Sequence, residues 1–205
     1  LIRLPLRYSG VSWSDQGFAL INESWTSTRQ TRTYVFNPDK PDYPAKVLFD
    51  RSYEDSYSDP GRPTVEVGPT GRWLIETTDN GRSIYLTGTG ASPEGNRPFL
   101  RKMNLASGET QELFRSEAPF YETVQGWVDA GKGVFLTSRE SASEPPNYYL
   151  RMVGSKEMKA ITHFEHPYPE MDAISKEFIT YTRADGVPLS AMLYLPAGYV
   201  ASRDG

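Results

Sequence analysis

The feature that most constrains the fold of this chain is a repeated pattern in which a glycine turn precedes a short apolar strand. The pattern occurs three times, with turn glycines at Gly17, Gly81 and Gly133, which lie 64 and 52 residues apart. A polar loop, an aromatic-rich strand, a second turn and a last strand follow each time, and a tryptophan-containing candidate strand precedes each glycine turn. The repeat therefore predicts units of four antiparallel strands.

Units of this kind predict an all-β chain that forms a partial β-propeller of about three four-stranded antiparallel blades, followed by a β-hairpin. Four strands in roughly 40 to 60 residues are typical of a propeller blade. A β-sandwich whose hairpins look alike is the alternative. Because propellers close with roughly four to eight blades, three units predict membership of a larger ring or pairing of open blade edges with another copy.

The last two predicted strands of the chain do not follow the repeat and form a separate hairpin. Apolar residues alternate on both sides of Asp185 and Gly186, which predicts a half-buried hairpin with an Asp-Gly turn. A lone hairpin is marginally stable in water and needs a sheet or core to pack on. We therefore expect this hairpin to open a different domain, most of which would lie beyond Gly205.

Composition excludes several classes of function. The net charge is -4, with basic residues mixed among acidic ones, so we expect no nucleic-acid partner. No apolar run approaches the ~20 residues of a membrane-spanning helix, so we expect no membrane association. The chain has no cysteine, which excludes a thiol nucleophile, a disulfide framework and cysteine-ligated zinc but leaves the compartment open.

No motif for catalysis or cofactor binding stands out. The Gly-x-Ser-x-Gly nucleophile pattern and the phosphate-loop patterns are absent. His163 and His166, with Glu165 or Glu170, are weak metal candidates, and a solvated linker is the alternative. An acidic loop offers calcium ligands, although its spacing differs from an EF-hand and a solvated loop is the alternative; its carboxylates are Asp50, Glu54, Asp55 and Asp59. We expect no metal site and no cofactor.

One loop of the third repeat offers a candidate substrate-binding site. The segment SRESASEPPNYY places Arg139 and Glu140 beside two prolines and two tyrosines. An arginine held there would be able to bind a substrate carboxylate through two hydrogen bonds. A salt bridge within the blade is the alternative use of Arg139.

Four segments carry a resemblance to a known family: RSIYLTGTGASPEGNRPFLRKMNLASGETQELFRS, SRESASEPPNYYLR, ITHFEHPYPE and YTRADGVPLSAMLYLPAGY. In this order they resemble the prolyl oligopeptidase family of serine peptidases, and within it the glutamyl endopeptidase-like branch found in bacteria and plant plastids. The resemblance covers residues 11–200, and its last two segments are the most specific. It implies an N-terminal propeller and a C-terminal α/β-hydrolase domain that carries serine, aspartate and histidine.

On this resemblance the chain divides into six parts. They are residues 1–10, the end of a preceding blade; 11–63, 64–117 and 118–165, three blades; 166–174, a linker; and 175–205, the opening hairpin of a truncated α/β-hydrolase domain. No position matches the nucleophile, acid or base of the family, so we expect no catalytic residue in this segment. Bacterial periplasm, bacterial cytoplasm and plastid are all compatible locations.

The resemblance implies a function for the segment. It would be the substrate-gating part of a two-domain serine peptidase that hydrolyses peptides, inactive alone and partnered by a peptide substrate and the α/β-hydrolase domain. If the parent cleaves after glutamate, a basic group must contact that side chain, and Arg139 is the candidate in this segment. The alternative function is a stand-alone propeller module that binds a protein or peptide partner.

Overall fold

The computed structural model describes residues 3–40, 42–171 and 173–200. Its first sheet contains four antiparallel strands in the order β1-β2-β3-β4. The strands are β1 (Arg7–Trp13), β2 (Ala19–Trp25), β3 (Gln30–Phe36) and β4 (Lys46–Ser52). Strand β1 begins four residues before the predicted start of the first blade at Val11, so residues 7–10 belong to this sheet.

The second sheet is built around three long antiparallel strands in the order β11-β10-β9. Two short strands, β5 and β8, share the other edge of β9. A separate two-stranded sheet joins β6 to β7. The bounds are β5 (Arg62–Pro63), β6 (Val65–Val67), β7 (Trp73–Ile75), β8 (Thr77–Thr78), β9 (Ser83–Gly88), β10 (Phe99–Asn104) and β11 (Thr110–Arg115).

The segment RWLIETT does not form the single first strand that the repeat predicted. It divides at Glu76, whose backbone N–H donates to the Thr64 carbonyl at 3.0 Å instead of joining the main sheet. The residues before Glu76 pair with β6, and the residues after it pair with β9. The strand along the free edge of β9 is therefore interrupted, and Arg62 and Pro63 fill part of it by pairing with Thr87 and Leu86.

The third sheet has four antiparallel strands in the order β12-β13-β14-β15. They are β12 (Tyr121–Asp129), β13 (Val134–Glu140), β14 (Asn147–Met152) and β15 (Met158–Ala160), with a short 3-10 helix at Ala130–Lys132. A second 3-10 helix at Pro169–Met171 leads to the closing hairpin of β16 (Ser175–Thr182) and β17 (Pro188–Leu195). The part of the predicted hairpin domain at 201–205 lies outside the described residues.

The glycine turns lie where the repeat predicted them. Gly17, Gly81 and Gly133 have φ values of 72°, 77° and 69° and lie just before the starts of β2, β9 and β13. Gly186 in the closing hairpin has a φ of 87°. Glycine adopts this left-handed conformation without the steric penalty of a Cβ atom, so these turns fix where each hairpin reverses.

Apolar side chains from successive sheets pack together. One core joins the first and second sheets through Phe18, Leu20, Ile84, Leu86 and Phe99. A second core joins the second and third sheets, where Tyr85 lies 4.6 Å from Trp127 and Trp127 lies 5.8 Å from Phe135, between ring centroids. The prediction of an all-β chain of successive antiparallel sheets and a closing hairpin is confirmed, and the first and third sheets have the four strands expected of each unit. Neither of the short helices in the described residues has the length or apolarity to cross a membrane.

Candidate functional site

A groove of about 1020 Å³ separates the closing hairpin from the loops of the three sheets. Phe178, Tyr181 and Met192 line it from the hairpin, and Ser92 and Tyr121 line it from the second and third sheets. The three hairpin side chains are substantially exposed. Aromatic and apolar walls with scattered hydroxyl groups are typical of a surface that holds a peptide or a small ligand.

The wall of this groove at Tyr121 stands beside a buried charge cluster in the third sheet. Glu122 is 3% exposed and accepts two hydrogen bonds from Arg151, at 2.8 Å from Nε and 2.6 Å from Nη2. The Thr137 hydroxyl donates to the same carboxylate at 2.6 Å. Because a buried carboxylate is tolerated only when it is paired and hydrogen-bonded, this cluster fixes β12, β13 and β14 relative to one another.

Arg139, the predicted substrate-binding residue, belongs to the edge of this cluster. Its Nε lies 3.9 Å from Glu122 Oε2, and its Nη1 lies 3.4 Å from Glu144 Oε2. Its guanidinium carbon lies 3.2 Å from the ring centroid of Phe120, and its side chain is only 11% exposed. This geometry favours the salt bridge within the sheet that the sequence offered as the alternative, and substrate binding by Arg139 stays a prediction.

Glu140, the second predicted residue, ends strand β13. It pairs in register with Tyr121 across the sheet, so its backbone lies next to the groove wall. Its contact with a substrate likewise stays a prediction.

The carboxylates of the acidic loop are held by separate partners. Asp50 accepts hydrogen bonds from Gln30 and Arg32, which lower its pKa, and Asp55 accepts hydrogen bonds from Ser58 that lower its pKa. Glu54 pairs with Arg29, and Asp59 pairs with Arg51 at 3.0 Å. Across the described ranges, no three His, Cys, Asp or Glu side chains converge on a point that would hold a metal ion.

The two histidines lie on the connection to the hairpin. His163 is exposed, and the Nδ1 of His166 accepts a hydrogen bond from the Tyr168 N–H at 3.0 Å. The side chain of Glu170, one of the carboxylates proposed to accompany them, lies outside the described residues.

Sequence reasoning missed Arg62. Its side chain is exposed on β5, and the residue lines two cavities, one of about 440 Å³ towards the first sheet and one of about 300 Å³ towards the third. The signal in the sequence is the segment Asp59–Pro63, in which an arginine stands between Pro-Gly and proline. That pattern predicts a rigid turn, but only the pairing of Arg62 with Thr87 shows that the turn replaces part of a strand.

The chain is similar to two known plant proteins. The probable chloroplastic glutamyl endopeptidase of Oryza sativa subsp. japonica is 44% identical over 217 residues, and that of Arabidopsis thaliana is 40% identical over 218 residues. Both alignments cover all of this chain and 23% of the relative, so the chain spans about a quarter of the length of these proteins. No protein-family model matches the chain.

Solved structures share the fold at low sequence identity. Oligopeptidase B from Trypanosoma brucei with covalently bound antipain matches 95% of this chain and 33% of its own, with a TM-score of 0.50 and 15% identity. The AtxE2 isopeptidase matches 98% of this chain and 27% of its own, with a TM-score of 0.52 and 13% identity. The match of the whole chain to two probable glutamyl endopeptidases confirms the resemblance seen in the sequence: the chain is similar to one segment of these proteins, and it shares its fold with part of oligopeptidase B.

Proposed function

We propose that this segment is the part of a β-propeller that admits peptides to the active site of a two-domain serine peptidase. Its three sheets would be successive blades, and the hairpin of β16 and β17 would open the α/β-hydrolase domain that performs the cleavage. The observation that carries the proposal is the groove of about 1020 Å³ between that hairpin and the sheets. The relationship to glutamyl endopeptidases supports it.

The chemistry of the groove suits selection of a substrate. Tyr57, Phe178 and Met192 offer exposed apolar surface that an extended peptide would cover. Walls on both sides would hold the peptide in place and exclude water from a reaction in the adjoining domain. Bond cleavage itself would require a serine oriented by a histidine and a carboxylate, with backbone donors that stabilise the oxyanion.

A groove-filling substitution tests the role of this surface in the full-length peptidase. Asn96 lines the groove, so Asn96→Trp should lower kcat/KM for peptides of about ten residues more than for a small chromogenic ester. Lys156→Trp is the matched control, because Lys156 is exposed in the turn between β14 and β15 and does not line the groove. Equal kinetics for long and short substrates in both variants would contradict the proposed selection.

The chain alone tests the other half of the proposal. We expect no labelling by a fluorophosphonate probe and no hydrolysis of peptide or ester substrates. Labelling of the 205-residue chain would show that it has a reactive nucleophile of its own and would refute the assignment of catalysis to another domain.

A further inference from the structure

The backbone that carries Arg62 is held in place from several sides. Asp59 Oδ1 accepts a hydrogen bond from the Gly61 N–H at 3.0 Å and pairs with Arg51, also at 3.0 Å. Gly61 has a φ of 88° and packs so closely on the Thr87 carbonyl that a Cβ atom would clash. Proline precedes and follows this pair of residues and restricts φ. The backbone of Arg62 is therefore fixed before a ligand binds, which reduces the conformational entropy lost on binding.

The charge of Arg62 has no partner within the described part of the chain. Its guanidinium makes no hydrogen bond or ion pair with any group that the structure describes. In contrast, Arg51, Arg139 and Arg151 each pair with a carboxylate. Asp59 and Arg62 both line the cavity of about 300 Å³. Because Asp59 is paired with Arg51, Arg62 supplies the uncompensated charge in that cavity.

Hydroxyl groups surround the cavity next to Arg62. This cavity of about 300 Å³, which we call the Arg62 cleft, is lined by Arg62 and by Thr87, Thr89, Tyr121 and Thr123. A planar guanidinium with nearby O–H donors matches the two oxygens of a carboxylate. Phe99 supplies an apolar wall, against which the methylene groups of a glutamate side chain would pack.

The Arg62 cleft adjoins the groove under the closing hairpin. Tyr121 lines both spaces, so a peptide in the groove can direct a side chain past Tyr121 towards Arg62. Arg139 stands in the same region but already contacts two carboxylates and the Phe120 ring. Of these two arginines, only Arg62 can bind a substrate carboxylate without first breaking an ion pair within the protein.

From this arrangement we infer that Arg62 binds the acidic side chain of the peptide substrate and gives the peptidase its preference for glutamate. The inference rests on the proposed function, because it requires a peptide in the groove. Arg62 acts here as a specificity-determining residue and has no part in bond cleavage.

Substitution of Arg62 tests the inference in the full-length peptidase. Arg62→Gln should lower the ratio of kcat/KM for a glutamate peptide to that for its glutamine counterpart by about ten- to hundredfold, the range expected for lost hydrogen bonds to a charged group. Arg62→Lys keeps the positive charge but not the planar guanidinium, so it should lower this ratio less than Arg62→Gln does. Arg72→Gln is the control, since the Arg72 guanidinium is also exposed and without a partner in the described residues but belongs to the turn between β6 and β7. An unchanged Glu/Gln ratio in Arg62→Gln would overturn the inference while leaving the peptidase function standing.

A binding experiment on the 205-residue chain separates this inference from catalysis. The Nε–H signal of Arg62 in an arginine-labelled NMR sample should shift on titration with a blocked glutamate peptide and not with its glutamine counterpart. Arg62→Gln should weaken the binding of the glutamate peptide about ten- to hundredfold. No shift with the glutamate peptide, or an equal response to inorganic phosphate, would overturn the assignment to a peptide carboxylate. If the full-length protein cleaves no peptide yet this shift is seen, the proposed function fails and the carboxylate site remains.

Discussion

Removal of the Glu122 carboxylate should destabilise the third sheet far more than removal of a comparable surface carboxylate. Glu122→Ala leaves Arg151, whose side chain is 15% exposed, without the two hydrogen bonds that it donates at 2.8 Å and 2.6 Å. It also removes the acceptor of the Thr137 hydroxyl. Breaking a buried ion pair from one side costs about 3–5 kcal/mol, because the remaining charge stays buried without a partner.

A surface pair in the same chain provides the comparison. Glu112 pairs with Arg115, with its Oε2 2.9 Å from the arginine Nε, but its side chain is 44% exposed. Exposed ion pairs contribute about 1 kcal/mol or less, so Glu112→Ala should be nearly neutral. The difference between the two variants therefore isolates the effect of burial.

Urea denaturation followed by circular dichroism and tryptophan fluorescence measures both effects. Trp127 packs against Tyr85 and Phe135, so its emission reports on the contact between the second and third sheets. The midpoint should fall in Glu122→Ala with little change in the slope of the transition. The double variant Glu122→Leu/Arg151→Met should recover most of the loss, since removing both charges is far less costly than removing one. Equal midpoints for Glu122→Ala and Glu112→Ala would refute the reasoning.

Two other substitutions test the edge of the second sheet along β9. Gly61→Ala should lower stability by at least about 1 kcal/mol more than Gly71→Ala, because both glycines have a positive φ but only Gly61 abuts the Thr87 carbonyl; equal urea midpoints would contradict that close approach. Burial raises the pKa of Glu76 above its usual 4.5, so the stability linked to this carboxyl is fully present below pH 4.5 and is lost as pH rises through the folded-state pKa. Glu76→Gln should therefore be more stable than the unsubstituted chain at pH 7, by about 1 kcal/mol. Its urea midpoint should also fall less as the pH rises above 5. Identical dependence of the urea midpoint on pH in the two proteins would exclude this account.

The strand pattern was predictable because local residues determine it. A glycine with positive φ before each apolar strand and the Asp185-Gly186 turn have no requirement beyond their own neighbours. Alternation of apolar residues then distinguishes the two faces of β17. These features specify the hairpins before any long-range contact forms.

The division of RWLIETT was not predictable, because its residues suit both pairings. Trp73 and Leu74 can pair with either β6 or β9 on propensity alone, and the outcome depends on the hydrogen bond between Glu76 and Thr64. The partners of Arg139 were not predictable for a similar reason. Whether an arginine is paired depends on distant carboxylates, such as Glu122 for Arg139, which lies on a neighbouring strand and shows no local signal.

The segment from Thr64 to Glu76, which we call the excursion, projects from the second sheet as the hairpin of β6 and β7. Its two ends are joined by the backbone hydrogen bond of 3.0 Å from the Glu76 N–H to the Thr64 carbonyl. Ile75, which is 1% exposed, anchors its base in the first core, whereas its tip at Gly68–Arg72 is a turn closed by the Gly68 N–H and the Arg72 carbonyl at 2.8 Å. Lengthening a loop whose ends already meet costs little additional closure entropy. Foreign sequence inserted at this tip should therefore leave the register of β9 unchanged, which makes the excursion a permissive position for an affinity tag or a fluorescent reporter.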